Sequence, residues 1–472
     1  MTDEPISPDP APAPTVAPEI RDDEGELSPD FLAALNEAIA ASDAERVQAL
    51  AGDLHSADLA DLIEAFEPEA RIAFIRLLGD QFDFAALTEI DDSIRAQLLD
   101  ELKPAEVAQG VAELDSDDAV YILEDLGEED RQEVLAQIPV VDRIAIARGL
   151  DYPEDSVGRR MQTDVIAVPP FWTVGQTLDY MREAEDLPDD FLEVFVVDPS
   201  FRVLGSVKLN RLLRSKRPVR MSEIMEEAEH VVHAATDDLE EAARIFERYD
   251  LVAAPVVDDA ERLVGVLTID NVVDVLQDEA DEDMRRLGGV GDEEISDSIL
   301  TSSRSRLPWL AVNAVTGFVA AGVIGLFDGT IEEMVALAVL MPIVATLGGS
   351  TGTQAMTVTV RAIATRDLAR RKVRRVVIRE GVVGFLNGLV IALLVGAGAW
   401  LWFGRIDLGF VIALAIVFNM LVAGLAGVLF PLLLNRLKLD PAVASGVFVT
   451  TVTDVIGFFA FLGLATLWFG LG

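Results

Sequence analysis

The stretch Thr450-Thr451-Val452-Thr453-Asp454-Val455-Ile456-Gly457-Phe458-Phe459 lies near the middle of an apolar run that extends from Ala442 to Leu471. A helix needs ~20 such residues to cross the hydrocarbon of a bilayer, so the stretch reads as the centre of a membrane span. Holding an ionised carboxylate there costs roughly 2.5–3.5 kcal/mol on insertion scales. Positions three and four apart share a helix face, so Thr450, Thr451, Asp454 and Gly457 stand together. Hydroxyls, a carboxylate and a small residue on one face suit a water-lined path for a cation. Asp454 is the only acid inside any apolar run of the chain, which favours that use over packing glue between helices.

Four further runs precede it, at about 307–327, 334–360, 381–403 and 408–434, each long enough to span. The connection from Arg366 to Arg379 holds seven basic residues, and the one after the fourth run holds Arg436 and Lys438. By the positive-inside rule these loops are cytoplasmic, which puts the N-terminal region in the cytoplasm and the C-terminus outside. Small residues recur at helix-contact spacing, as in Gly348 with Gly352, Gly384 with Gly388 and Gly424 with Gly427. Polar residues such as Asn313, Thr346, Ser350, Gln354, Asn387 and Asn419 are further candidates to line a hydrated route, each with interhelical hydrogen bonding as its other reading.

Charge divides the chain as sharply as hydropathy does. Residues 306–472 carry 8 acids and 12 Lys or Arg; of the 81 acids and 37 bases in all, 73 and 25 fall in the first 305 residues, at net charges of +4 and −48. Such an acidic region disfavours nucleic acid and anionic lipid and points toward cations. There is no Cys, and the three His are His55, His230 and His233. Any metal is therefore held by oxygen, which favours Mg²⁺, Ca²⁺ or Mn²⁺ over Zn²⁺ or Cu⁺. Residues 1–27 have neither the basic nor the apolar part of a signal peptide and read as a disordered tail.

From 28 to 155 Leu and Ala recur at helical spacing, with breaks at Glu67-Pro68, Lys103-Pro104, Asp115-Ser116-Asp117-Asp118 and Gly127-Glu128-Glu129-Asp130. This reads as a stack of short helices with acids in their first turns, where the helix dipole prefers them. Next, Phe195-Val196-Val197-Asp198 and Val203-Leu204-Gly205-Ser206-Val207 return about sixty residues later as Ala254-Pro255-Val256-Val257-Asp258 and Leu263-Val264-Gly265-Val266-Leu267-Thr268. The two copies, 156–220 and 221–270, resemble a tandem pair of CBS domains. That resemblance implies a cleft for an adenine nucleotide such as ATP, with Thr268 and Asn271 of Gly265-Val266-Leu267-Thr268-Ile269-Asp270-Asn271 as its binding element. In the first copy Lys208 and Arg211 stand at the corresponding places, so one nucleotide site at most is implied, and a structural pair without ligand is the other reading.

The segment 271–305 starts as a helix carrying Asp274, Asp278, Glu279, Asp281, Glu282 and Asp283. Like charges four apart destabilise a helix by roughly 0.2–0.5 kcal/mol each, so the run reads either as a solvated charged face or, given its place just before the first span, as a connector with cations among its acids. It reads as a connector to the pore domain, 306–472.

Two stretches carry a fuller resemblance: Pro342-Ile343-Val344-Ala345-Thr346-Leu347-Gly348-Gly349-Ser350-Thr351-Gly352-Thr353-Gln354, and Asp440-Pro441-Ala442 with Ser445 and Thr450 to Asp454. With the order of parts, they resemble the MgtE family of magnesium channels over residues 28–472. The resemblance implies a multidomain fold: an all-α soluble solenoid, an α/β tandem CBS pair, a long connecting helix and five transmembrane helices. It implies a homodimer in the cell (inner) membrane, with Asp454 of each subunit facing hydrated Mg²⁺. It further implies that cytosolic Mg²⁺ bridges sensing acids to hold the channel shut: Asp117 in the helical domain, Glu240 and Asp250 in the second CBS copy, and Asp274, Glu279, Glu282 and Asp283 on the connecting helix. Asn271 and Tyr121 stand where the family pattern often has acids, and Ser350 where an Asn is frequent.

Two other readings compete. One is a CBS-regulated carrier of Co²⁺ or Mn²⁺; the other is a membrane-anchored adenine-nucleotide sensor that transports nothing, which would have no use for Asp454. An enzyme is disfavoured, since neither a phosphate-binding Gly-rich loop nor a nucleophile with its base is found.

Overall fold

The computed structural model describes residues 19–470 except 185–186, 189–190, 227–231, 234–236, 291–298, 365–367 and 369, and leaves the side chains of 232–233, 370–372 and 442–445 undescribed. The chain forms two compact units that divide between Asp278 and Glu279.

The first unit opens with short helices, from Pro29–Ala40 to Val140–Asp151, around one core that includes Leu35, Leu59, Phe74, Leu87 and Ile122. Each break seen in the sequence starts a helix: Pro68 and Pro104 at first positions, where a missing N–H costs nothing, and Asp115 and Gly127 as caps. We label the helix Ser116–Glu124 α1. Of the stretch read as a disordered tail, residues 1–18 lie outside the described residues. Residues 19–27 are instead tied down: Arg21 bridges to Leu27 and pairs with Asp58 and Asp61, because a lone guanidinium in so acidic a unit finds carboxylates readily.

Two three-stranded sheets follow. Strands β1 (Ala167–Val168), β2 (Glu193–Val197) and β3 (Val203–Lys208) form one; β4 (Val232–His233), β5 (Ala253–Val257) and β6 (Leu263–Thr268) form the other. In each, a parallel pair adjoins an antiparallel hairpin, with Glu193 opposite Lys208 and Ala253 opposite Thr268. The copies interlock, since Gln162, ahead of the first copy's strands, bridges to Val266 of the second, and Glu226, ahead of the second copy's strands, bridges to Ser206 of the first. Phe195, Val197, Leu263 and Val266 pack together between the sheets.

Helical part and sheets are joined through Glu124, whose carboxylate accepts from Arg159 Nε at 3.0 Å and Arg160 Nη2 at 2.7 Å. Arg159 is buried, so Glu124 supplies the counter-charge it needs. Changing Glu124 to Ala is expected to destabilise this unit by about 3 kcal/mol, as breaking a buried pair does. The check is the thermal midpoint of the purified chain, compared with that of Glu128→Ala, whose ion pair with Arg131 is on the surface.

Helix α2 (Ile269–Leu287) runs across the division into the second unit. There α3 (Ile299–Gly325), α4 (Ala336–Ala364), α5 (Arg370–Phe403), α6 (Ile406–Arg436) and α7 (Pro441–Phe469) are the five described helices long and apolar enough to span a membrane. Helix α6 packs on α4, α5 and α7, and α3 packs on α7. Contact between α5 and α6 is backbone to backbone: a Cβ on Gly424 would stand 2.7 Å from the Glu380 carbonyl oxygen. Helices α3 and α5 start well before their apolar runs, because Arg and Ser cost a helix little and hydropathy does not mark where winding begins.

Candidate functional site

In the first unit the site is an acid cluster built on the N-terminus of α1. Asp115 precedes the helix, and Asp117 and Asp118 fill its first turn, where the helix dipole favours negative charge. Ser116 fixes this end, its hydroxyl accepting from the Thr163 amide at 2.8 Å. Asp117 is buried, 5% exposed. Its Oδ2 accepts from the Asn271 amide at 2.7 Å, while its Oδ1 is buried with no hydrogen-bond partner among the described residues. The same Asn271 amide donates to Thr268 Oγ1 at 3.1 Å, so both residues expected from the sequence to bind a nucleotide are linked to Asp117.

Burial and crowding push these carboxyls up from their ordinary value of 3.8. Asp117 rises to about 6, chiefly through burial and against the pull of the Asn271 hydrogen bond. Asp118 rises to about 7, through burial and then the charges of Asp117, Asp115, Asp270 and Glu89. Asp274, on α2, rises to about 6 through partial desolvation, then Glu89, Asp278 and Asp270. The carboxylates feel one another's charge, yet among the described residues no three His, Cys, Asp or Glu converge closely enough to hold a bare metal ion. Carboxylate oxygens, one of them buried and unpaired among the described residues, are the hard donors that Mg²⁺ takes through its water.

The proposed sensing acids therefore fall into separate places. Asp117 and Asp274 share the neighbourhood of Asp270. Glu240 sits on the helix Leu239–Tyr249, paired with Arg244, and Asp250 caps that helix in the left-handed conformation with φ 53°. Glu279, Glu282 and Asp283 lie on the part of α2 that belongs to the second unit. There Glu282 pairs with Arg286, whose Nη1 reaches Asp440 at 2.6 Å, directly before α7. Tyr121 lies between two guanidinium groups, Arg95 at 4.2 Å and Arg160 at 4.4 Å from its ring centre. At that position two protein cations stand against an aromatic face.

In the second unit Asp454 is half-buried at the middle of α7, with no hydrogen bond or ion pair to any described residue. Thr450 and Thr451 donate to the Gly446 and Val447 carbonyls at 2.9 and 2.6 Å. Their protons are thus committed to the helix, and their oxygen lone pairs remain as acceptors for water around a cation. Asp454 is not the only acid within a spanning helix. Glu380, 8% exposed, lies inside the span Val373–Phe403, and Arg379 Nε is 3.8 Å from its carboxylate. The apolar run of that span begins one residue later, so hydropathy leaves Glu380 outside it. The sequence reading also passed over Asp118, although it stands in the quoted Asp115 to Asp118 quartet, and Glu89 and Asp270, which no local pattern connects. The side chain of Ser445 lies outside the described residues.

Five described helices long enough to span, one bearing a mid-span carboxylate with no partner among the described residues, together with a CBS pair and an acid-rich helical domain, define a multi-pass membrane protein with a large soluble part in the same chain. Comparison with known proteins specifies the class. Residues 341–464 match the family model for a divalent cation transporter, MgtE, residues 54–155 that for the MgtE intracellular N domain, and residues 221–278 that for a CBS domain. The magnesium transporter MgtE of Thermus thermophilus is 33% identical over 434 residues, covering 87% of this chain and 94% of that protein. Its namesake in Bacillus subtilis is 27% identical over 416 residues, covering 88% and 92%. A crystal structure of the cytosolic domain of the Mg²⁺ channel MgtE in complex with ATP is 29% identical over 52% of this chain and 99% of that one, with a TM-score of 0.48. The chain belongs to the MgtE family.

Proposed function

We propose that this protein is a magnesium-selective channel of the cell membrane, working as a homodimer and closed by cytosolic Mg²⁺. The observation that carries the reading is Asp454, a carboxylate at the middle of a span with no counter-ion among the described residues. Mg²⁺ gives up its water reluctantly and is commonly held through it by one or two carboxylates. An Asp454 from each subunit, with the hydroxyl oxygens of Thr450 and Thr451, forms a filter for the hydrated ion.

Closure is assigned to the acids on the cytoplasmic side: Asp117, Asp274, Glu240, Asp250, Glu279, Glu282 and Asp283, joined by Asp118. Burial first and neighbouring negative charge second raise these carboxyl pKa values, and a bound cation offsets both, so Mg²⁺ favours whichever arrangement draws these acids together. The basic connections support a cytoplasmic soluble unit and an outside C-terminus. ATP is the candidate ligand of Thr268 and Asn271, and the bond from Asn271 to Asp117 makes nucleotide and acid cluster share a residue.

Mg²⁺ flux into vesicles at varied internal Mg²⁺ tests the reading. With Asp274, Glu279, Glu282 and Asp283 all neutralised, uptake is expected to continue at internal Mg²⁺ that stops the wild-type protein. Closure at the same concentration in both would remove the sensing role.

A further inference from the structure

Asn419 stands near the midpoint of α6 and is 1% exposed, where α4, α6 and α7 meet. Its Nδ2 donates to the Val344 carbonyl of α4 at 3.0 Å, and its Oδ1 is buried with no hydrogen-bond partner among the described residues. Glycines on two different helices make room for this amide. A Cβ on Gly348 of α4 would stand 2.3 Å from Nδ2; one on Gly457 of α7 would stand 2.7 Å from Nδ2 and 3.0 Å from Cγ. Thr453 of α7 is fully buried, and its Cβ would be 3.2 Å from that same added atom on Gly348.

Stability alone does not account for an amide here. An aliphatic side chain would fill the junction without leaving a buried acceptor unpaired, which is the expensive part of burying a polar group. The amide does fix an angle. Gly457 follows Asp454 by three positions and Thr453 precedes it by one, so the face of α7 pressed on Asn419 adjoins the face that carries the carboxylate. Side chains reach about 5–6 Å from a helix axis, so turning α7 by about 20° would carry the Asp454 carboxylate about 2 Å.

We propose that Asn419 is a positioning residue for ion selection: seated between Gly348 and Gly457, it holds α7 at the rotation that aims Asp454 into the conduction path. The inference rests on the assignment of Asp454 as the selecting carboxylate.

Mutual suppression tests it, using full-length protein in vesicles with Mg²⁺ uptake measured against Co²⁺ competition. Alanine in place of a mid-helix glycine ordinarily helps a helix, so loss in Gly457→Ala reports the collision with the amide. Gly457→Ala and Asn419→Ala are each expected to raise the half-saturating Mg²⁺ by about tenfold and to weaken discrimination against Co²⁺, as loosened support of a functional group does. The double variant is expected to show a smaller shift than either single one, because the added Cβ occupies space the amide has left. Shifts that multiply in the double variant would overturn the proposal. So would single variants that lower only the maximal rate and the yield of folded protein, with half-saturation and discrimination unchanged. Should Gly457→Ala fail to fold, Asn419→Ser, which is smaller and keeps a donor, reads the same constant. Every variant retains Asp454, so multiplying shifts defeat only the positioning role, whereas normal uptake by an Asp454→Ala protein would defeat the filter itself.

Discussion

Changing Asp454 to Ala is expected to reduce Mg²⁺ uptake by about 100-fold or more while leaving the protein folded and its thermal midpoint equal or higher. The two halves of that expectation have one origin. A carboxylate at mid-span costs roughly 2.5–3.5 kcal/mol, so its removal relieves the fold of a penalty. In the proposed filter the same charge is what a hydrated divalent cation meets at mid-span, and no basic residue among those described neutralises it. Asp454→Asn separates charge from shape: size and hydrogen-bonding capacity stay, attraction for the ion goes, and uptake is expected to fall nearly as far. Thr450→Val and Thr451→Val remove acceptors for the ion's water but no charge, and are expected to cost about tenfold each, near the value of a lost hydrogen bond to a charged partner. Wild-type uptake by a folded Asp454→Ala protein would end the filter assignment.

The sequence disclosed some of this arrangement more readily than the rest, and the division follows the range of the interactions. Spans are announced by twenty or more apolar residues in a row, and the CBS pair by two strand-turn-strand copies, because both signals are local. The Gly-hydrophobic-x-Thr element was equally visible, and the helix that follows starts at Ile269, within its limits. The partner of Asn271 was not visible. Asp117 lies 154 residues earlier, and only the tertiary fold makes a 2.7 Å contact of the two. Tyr121 could be seen to break an acidic pattern, but the pair of guanidinium groups on its faces could not. Glu380 was hidden for another reason: hydropathy marks where apolar residues begin, and the helix begins at Arg370. Asn419 was legible as a polar residue in a span, whereas its two glycine neighbours, on helices far apart in the chain, were not.

In the absence of divalent cations the acid cluster should lose stability as pH rises from about 4 to 7, and Mg²⁺ should restore it mainly at the upper end. Asp117 and Asp118 are raised to about 6 and about 7 from an ordinary 3.8, so the folded protein binds more protons than the unfolded chain throughout that window. Below pH 4 both states are protonated and the contribution is fully present; above 7 both are ionised and it is gone. The two carboxyls sit side by side and titrate as a pair, so their combined effect is on the order of a few kcal/mol rather than two independent shifts added. Magnesium binds the ionised form and protons compete with it, so millimolar Mg²⁺ should slow amide exchange along Ser116–Glu124 strongly at pH 8 and hardly at pH 5. Asp118→Asn should flatten the pH dependence and remove most of the Mg²⁺ effect. Asn271→Asp should do the reverse, because it sets a second carboxylate against Asp117 Oδ2 in place of an amide donor. Without cation that variant should exchange faster than wild type at pH 8, and with Mg²⁺ more slowly. Equal protection by Mg²⁺ at pH 5 and pH 8, in wild type and in Asn271→Asp alike, would show that the ion acts on the protein elsewhere than at these acids.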